Sequence, residues 1–128
     1  MIYLLDTHLL LWAAGQPERL SKRAVELLSE PTNGVMFSSA AVWEVAIKSR
    51  LGRRDFRVDA RLFRRGLLEN GYAELAIESD HTLATLDLPD VHQDPFDRIQ
   101  VAQARVEGLV LLTTDDVVAD YGSPVELV

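Results

Sequence analysis

Four carboxylates in this chain have the type and setting to do chemistry. Asp6 closes the apolar run IYLLD, and Glu44 is the only charge between Ala40 and Ile47 in AAVWEVAIKSRLG. Asp97 lies in DPFDRIQVAQA (94–104), and Asp115, with Asp116 beside it, closes LVLLTTD. Carboxylates gathered in one place repel one another unless a cation is present. An all-oxygen set of this kind suits Mg²⁺ or Mn²⁺. Such ions in turn suit phosphodiester hydrolysis, where they activate water and neutralise charge on the phosphate. Each acid also has an ordinary role open to it. Asp94 before Pro95 reads as a helix cap with proline at the first helical position, which puts Asp97 in the first turn, where it favours the helix dipole. Glu44 stands four residues before Lys48, the favourable order for a surface ion pair. Asp6 could cap a helix starting at Thr7, and Asp115 and Asp116 could cap the VVADY turn.

The elements that would carry these residues decide whether they meet. Short apolar runs alternate with helical periods. IYLLD (2–6), VMFSS (35–39), AELAI (73–77), LVLLTTD (109–115) and PVELV (124–128) read as strands. THLLLWAAG (7–15), SKRAVELLSE (21–30), AAVWEVAIKSRLG (40–52), DARLFRRGLLENG (59–71), SDHTLATLDLP (79–89) and PFDRIQVAQARVEG (95–108) read as helices. In 59–71 the residues Leu62, Phe63, Leu67 and Leu68 form the apolar side. The alternation predicts an α/β fold with a mainly parallel central sheet covered on both faces. In such sheets ligands bind beyond the carboxyl ends of the strands. Asp6, Glu44, Asp97 and Asp115 all fall at strand ends or in the turn just after. Independent caps need not share one edge of a sheet, whereas a metal site must.

Other residues carry weaker signals. Ser38, Ser39, Thr7, Thr113 and Thr114 are hydroxyls near strand ends and read chiefly as caps, one of which could position a water or a ligand. Trp12, Trp43 and Phe96 read as core anchors. His8 reads as a helix-surface residue, and His81 and His92 receive no role. The formal net charge of −7 argues against a bulk electrostatic nucleic-acid binder. Yet residues 48–65 hold eight of the 13 basic residues, from Lys48 to Arg65, against only Asp55 and Asp59. That band reads either as a solvated arginine-rich helical face or as a contact for phosphates. There is no cysteine, which excludes disulfides, zinc thiolates and cysteine nucleophiles and fits a cytoplasmic location. No apolar run is long enough to span a bilayer. A length of 128 residues predicts a single domain over 1–128.

At this point the chain resembles the PIN domain, and within it the VapC-type toxins of bacterial and archaeal toxin–antitoxin pairs. The resemblance rests on YLLDTHLLLW, SSAAVWEVAIKSRLGR, HQDPFDRIQVAQA, LLTTD and ADYG, in that order and spacing. It implies a PIN-like three-layer α/β/α sandwich and a Mg²⁺- or Mn²⁺-dependent endoribonuclease. Asp6, Glu44, Asp97 and Asp115 match the family's four acids, with Asp6 and Asp97 as the main metal ligands. Thr113 would support the site and Asp94 would cap the helix. The doubled Asp115-Asp116 leaves the fourth acid open by one residue. The resemblance also implies an RNA substrate, a homodimer and a cognate antitoxin.

Two other readings use the same residues. Asp6 at the end of a first strand could serve a phosphohydrolase as nucleophile or phosphoacceptor. However, His8 stands where such phosphatases place a second aspartate, and no lysine follows Leu112 as a receiver domain requires. The other reading is a catalytically inactive PIN-like binding module.

Overall fold

A computed structural model describes all 128 residues, Met1–Val128. Five strands form one sheet: β1 (Ile2–Leu5), β2 (Gly34–Ser38), β3 (Ala73–Leu75), β4 (Val110–Thr113) and β5 (Val125–Leu127). Their order is β3-β2-β1-β4-β5 and every pairing is parallel, so the sheet is wholly rather than mainly parallel. Seven α-helices connect or follow the strands: α1 (Thr7–Gly15), α2 (Lys22–Ser29), α3 (Ser39–Arg50), α4 (Ala60–Glu69), α5 (Ser79–Ala84), α6 (Pro95–Glu107) and α7 (Asp116–Ala119). No helix is long and apolar enough to cross a membrane.

Side-chain alternation along the strands feeds two separate cores. Tyr3, Leu5, Phe37 and Leu112 point to one face, where they pack with Leu9, Leu10, Leu27, Val45, Phe63 and Leu67 from α1 to α4. Leu4 and Leu111 point to the other, where they meet Val101, Ala102, Ala104, Val118 and Tyr121. The result is the three-layer α/β/α arrangement expected. The chain runs outward from β1 through β2 to β3, then crosses back to build β4 and β5 on the other side of β1. The order therefore reverses between β1 and β4, and the crevice beyond their carboxyl ends is the place where such sheets bind ligands. Asp6 and Asp115 follow those two strands.

Several sequence expectations shift. The strand ends retreat by one or two residues: Asp6 and Asp115 leave the ladder to cap the next helix, and Ser38, the last residue of β2, caps α3 while still paired with Leu75; their side chains accept from the backbone N–H of Leu9, Val117 and Ala40. The helix expected over 79–89 stops at Ala84 and tightens into a 3₁₀ turn, Thr85–Asp87. There the Thr85 hydroxyl donates to the Thr82 carbonyl, and the Arg98 guanidinium holds the Thr85 carbonyl. In α4 only Phe63 and Leu67, one turn apart, are buried; Leu62 and Leu68 face outward. The basic band is not one helical face, since it covers the end of α3, a 3₁₀ turn at Arg54–Phe56 and the start of α4. Gly108 ends α6 with φ 67°, a left-handed turn that glycine adopts without strain.

Candidate active site

Three of the four acids gather at the carboxyl edge of the sheet. Asp6 leaves β1 with its N–H bonded to the Leu112 carbonyl of β4, so its backbone is tied into the switch point itself. One carboxylate oxygen, Oδ1, accepts from the Leu9 N–H at 3.0 Å and the other from the buried Thr113 hydroxyl. The side chain is both a cap and a buried carboxylate, 6% exposed. Burial is the main reason its carboxyl is pushed above the usual range; the charge of Glu44 pushes the same way, while the bonds from Thr113 and Leu9 and the charge of His8 pull against it.

Glu44 belongs to the buried stripe of α3, together with Ala40, Ala41 and Val45. The pair with Lys48 forms, at 2.5 Å, but not on the surface: Glu44 is 3% exposed. Its other oxygen, Oε1, accepts from the Thr7 hydroxyl at 2.5 Å, and Thr7 Oγ1 in turn accepts from Gln100 Nε2 at 3.3 Å. Glu44 is therefore locked to the first residue of α1 and, through it, to α6. Lys48 lies with its ammonium 4.9 Å from the Phe56 ring and 5.7 Å from the Phe96 ring.

Asp97 occupies the first turn of α6. Asp94 caps that helix, its Oδ1 accepting from the N–H groups of Phe96 and Asp97 at 2.9 and 3.1 Å. The Asp97 carboxyl is pushed up to about 6, chiefly by burial and then by the negative charges of Asp94, Glu44 and Asp6. A bond from His92, 2.9 Å from Oδ2, works in the other direction. That the charge of Glu44 raises both Asp6 and Asp97, and that of Asp6 raises Asp97, is the electrostatic mark of acids brought within reach of one another. No lysine or arginine pairs with Asp6 or Asp97; the only such cation in the group, Lys48, belongs to Glu44.

Asp115 stands apart. It is exposed, and its carboxylate caps α7 through the Val117 N–H at 2.9 Å. Its link to the group runs through the backbone: the Asp115 N–H donates to the Thr113 hydroxyl at 3.0 Å, and that hydroxyl holds Asp6. Asp116 makes no such contact and lies in the first turn of α7.

Sequence reasoning missed or misread two neighbours of the site. His92, given no role, bonds Asp97 through Nε2 and the Tyr121 hydroxyl through Nδ1, at 2.9 and 2.7 Å. Trp43, read as a core anchor, is 60% exposed and packs edge-on against Phe96 with ring centroids 5.3 Å apart. It lies one position off the buried stripe of α3, which the apolar character of that helix all round conceals. His81 is buried; its Nδ1 accepts from the Glu78 N–H in a capping box, remote from the acids. Ser38 acts as the cap expected, and His8 sets its ring edge against Phe56.

No three His, Asp or Glu side chains stand close enough together to enclose an ion on their own. The donor set nonetheless fits a hard divalent cation in its chemistry. It is all oxygen, and the charges of Asp6 and Asp97 are not offset by any lysine or arginine. Mg²⁺ is commonly held by one or two carboxylates, with water or phosphate oxygens in its other positions.

The PIN domain profile matches residues 3–123, and the chain belongs to the PIN domain family. Solved structures share the fold at low identity. VapBC2 of Rickettsia felis, bound to a DNA fragment from its promoter, aligns over 100% of this chain and 98% of its own at 16% identity and a TM-score of 0.70. VapBC-1 of nontypeable Haemophilus influenzae aligns over 100% and 97% at 18% identity and 0.67. VapC20 of Mycobacterium tuberculosis, a toxin that cleaves the sarcin-ricin loop, aligns over 95% of both chains at 18% identity and 0.64. No curated relative matches the chain in sequence.

Proposed function

We propose that this chain, a single PIN domain over 1–128, is a cytoplasmic, metal-dependent endoribonuclease and the VapC-type toxin of a toxin–antitoxin pair. The observation that carries the reading is the gathering of Asp6, Glu44 and Asp97 at the carboxyl edge of a PIN-fold sheet, where the charges of Glu44 and Asp6 reach Asp97. Asp6 and Asp97 would hold Mg²⁺ or Mn²⁺. When bound, the cation supplies charge for the phosphate and lowers the pKa of a water. Thr113 and the α1 N-terminus fix Asp6, and Thr7 and Lys48 fix Glu44, so the acids are set before substrate arrives. Asp115 would complete the acidic pocket from the rim, in preference to Asp116. The similarity to VapBC complexes supports a cognate antitoxin as partner, and the same reading takes the chain as a homodimer. The phosphohydrolase reading is less well supported: His8 stands where such an enzyme places its second aspartate, and no lysine follows Leu112.

The test is cleavage of a mixed pool of single-stranded and structured RNAs by the protein freed of antitoxin. Cutting in Mg²⁺ or Mn²⁺, abolished by chelator and leaving 5′-phosphate ends, is the expected result. Cutting that persists in chelator would refute the metal-dependent reading.

A further inference from the structure

The motif ADYG, near the end of the chain, has no part in the acidic group, yet Tyr121 lies within reach of it. Arg98 explains how. Its Nη1 donates to the Tyr121 hydroxyl at 2.9 Å and to the carbonyls of Pro89 and His92 at 3.1 and 3.2 Å; its Nη2 donates to the Thr85 carbonyl at 3.2 Å. One guanidinium thus fastens the 85–92 segment, α6 and the turn after α7 together. His92 lies at the centre of this arrangement, with Nδ1 2.7 Å from the Tyr121 oxygen and Nε2 2.9 Å from Asp97 Oδ2.

The donor inventory and the distances together favour one direction for these bonds. A guanidinium can only donate, so the Tyr121 oxygen accepts from Arg98. The Tyr121 proton then goes to the nearer of its two acceptors, His92 Nδ1 at 2.7 Å rather than the His92 carbonyl at 3.4 Å. Nδ1 is therefore an acceptor, and the proton of a neutral imidazole sits on Nε2, where it donates to Asp97 Oδ2. Asp97 Oδ1 has no protein donor.

From this the geometry points to His92 as a positioning residue for Asp97, set by an Arg98–Tyr121–His92 relay that occupies Oδ2 and leaves Oδ1 for a ligand. The inference deepens the nuclease reading and rests on it for the identity of that ligand. The relay ties the last motif of the chain to the most accessible of the three gathered acids. It also accounts for a histidine just before DPFDR whose side chain serves neither the core nor a helix cap. Outer-shell partners that orient a ligating carboxylate are commonly worth 10- to 100-fold in metal affinity.

The test combines two readouts on the full chain. Nitrogen-15 NMR of histidine-labelled protein, with His92 assigned by its loss in His92→Gln, reports the tautomer without any metal. Titration with Mn²⁺ alone reports affinity. The expected result is the Nε2–H tautomer in the parent, and about tenfold weaker Mn²⁺ binding in His92→Ala and in Tyr121→Phe. His92→Gln, which keeps a donor near Oδ2, should recover most of that loss, whereas a purely structural role would make all three track the melting temperature. An Nδ1–H tautomer in the parent, or Tyr121→Phe binding Mn²⁺ like the parent with the same tautomer, overturns the relay. A parent that takes up no Mn²⁺ defeats the metal-dependent reading instead, and the tautomer then decides the relay by itself.

Discussion

The acidic edge and the arginine band are the two charge concentrations of this molecule, and the fold treats them in opposite ways. Asp6, Glu44 and Asp97 are separated by dozens of residues, yet the sheet brings them within electrostatic reach of one another. The eight basic residues of 48–65 are close in sequence, yet they disperse over two helices and a 3₁₀ turn. Every arginine in the band is exposed; only Lys48 turns inward. Arg64 reaches Glu74 at 2.7 Å and goes no further. Charges that are neighbours in sequence need not act together, whereas charges carried to one sheet edge are forced to. The acids also sit where water is scarce, so each needs an internal partner, while the arginines are served by solvent.

This contrast can be broken most severely by removing an acid's charge. Asp6→Asn is expected to lower RNA cleavage by about 10²–10³-fold, since charge on the phosphate is no longer offset by a held cation. Replacing Arg53, Arg54 and Arg57 together by alanine should weaken RNA binding at low salt and lose that effect as salt rises, a result measured by repeating the assay across ionic strength. Next in size is Thr113→Val, which leaves the volume unchanged but deprives the buried Asp6 of its hydroxyl donor. A loss of about 1.5–3 kcal/mol in denaturant unfolding is expected, as for hydrogen bonds to charged groups.

Asp97 gives a test with a sign. Its folded-state carboxyl titrates at about 6 against an ordinary 3.8, so the native state binds the extra proton between those values. Stability must then fall as pH rises from about 4 to 6. In metal-free buffer at pH 7.5, Asp97→Asn should be more stable than the parent by about 1–3 kcal/mol, and the gap should close towards pH 4. Melting curves of the two proteins at both pH values check this. The smallest effect belongs to the other region: Arg64→Ala should cost no more than about 1 kcal/mol, less in high salt, because its pair with Glu74 is exposed.

Much of the site was legible because the signals were local. An acid that ends an apolar run must stand at a strand end, so Asp6 and Asp115 could be located from sequence. Glu44 could be singled out because it is the only charge between Ala40 and Ile47; that it points inward, with Ala41 and Val45, is seen only in the structure. DPFDR carried two jobs that separate cleanly, Asp94 capping and Asp97 facing the acids. What could not be read depended on long-range contact. Nothing near His92 in sequence announces Tyr121, 29 residues on, and nothing near Thr7 announces Glu44, 37 residues on. Trp43 was misplaced because a helix apolar all round does not reveal its buried side. The arginine band, left open between a solvated helical face and a phosphate contact, turns out not to be one face: it crosses the end of α3 and the start of α4, near the helix limits read from Gly52 and Asp59.

The central claim, that the acidic edge is the reactive part of the molecule, is tested most directly by single-turnover RNA cleavage in Mn²⁺ by the parent and by Asp97→Asn, both free of antitoxin. The expected result is cutting by the parent and at least a hundredfold slower cutting by the variant, although the variant is the more stable protein. Equal rates for the two would contradict the claim and leave Asp97 a first-turn helix residue and nothing more.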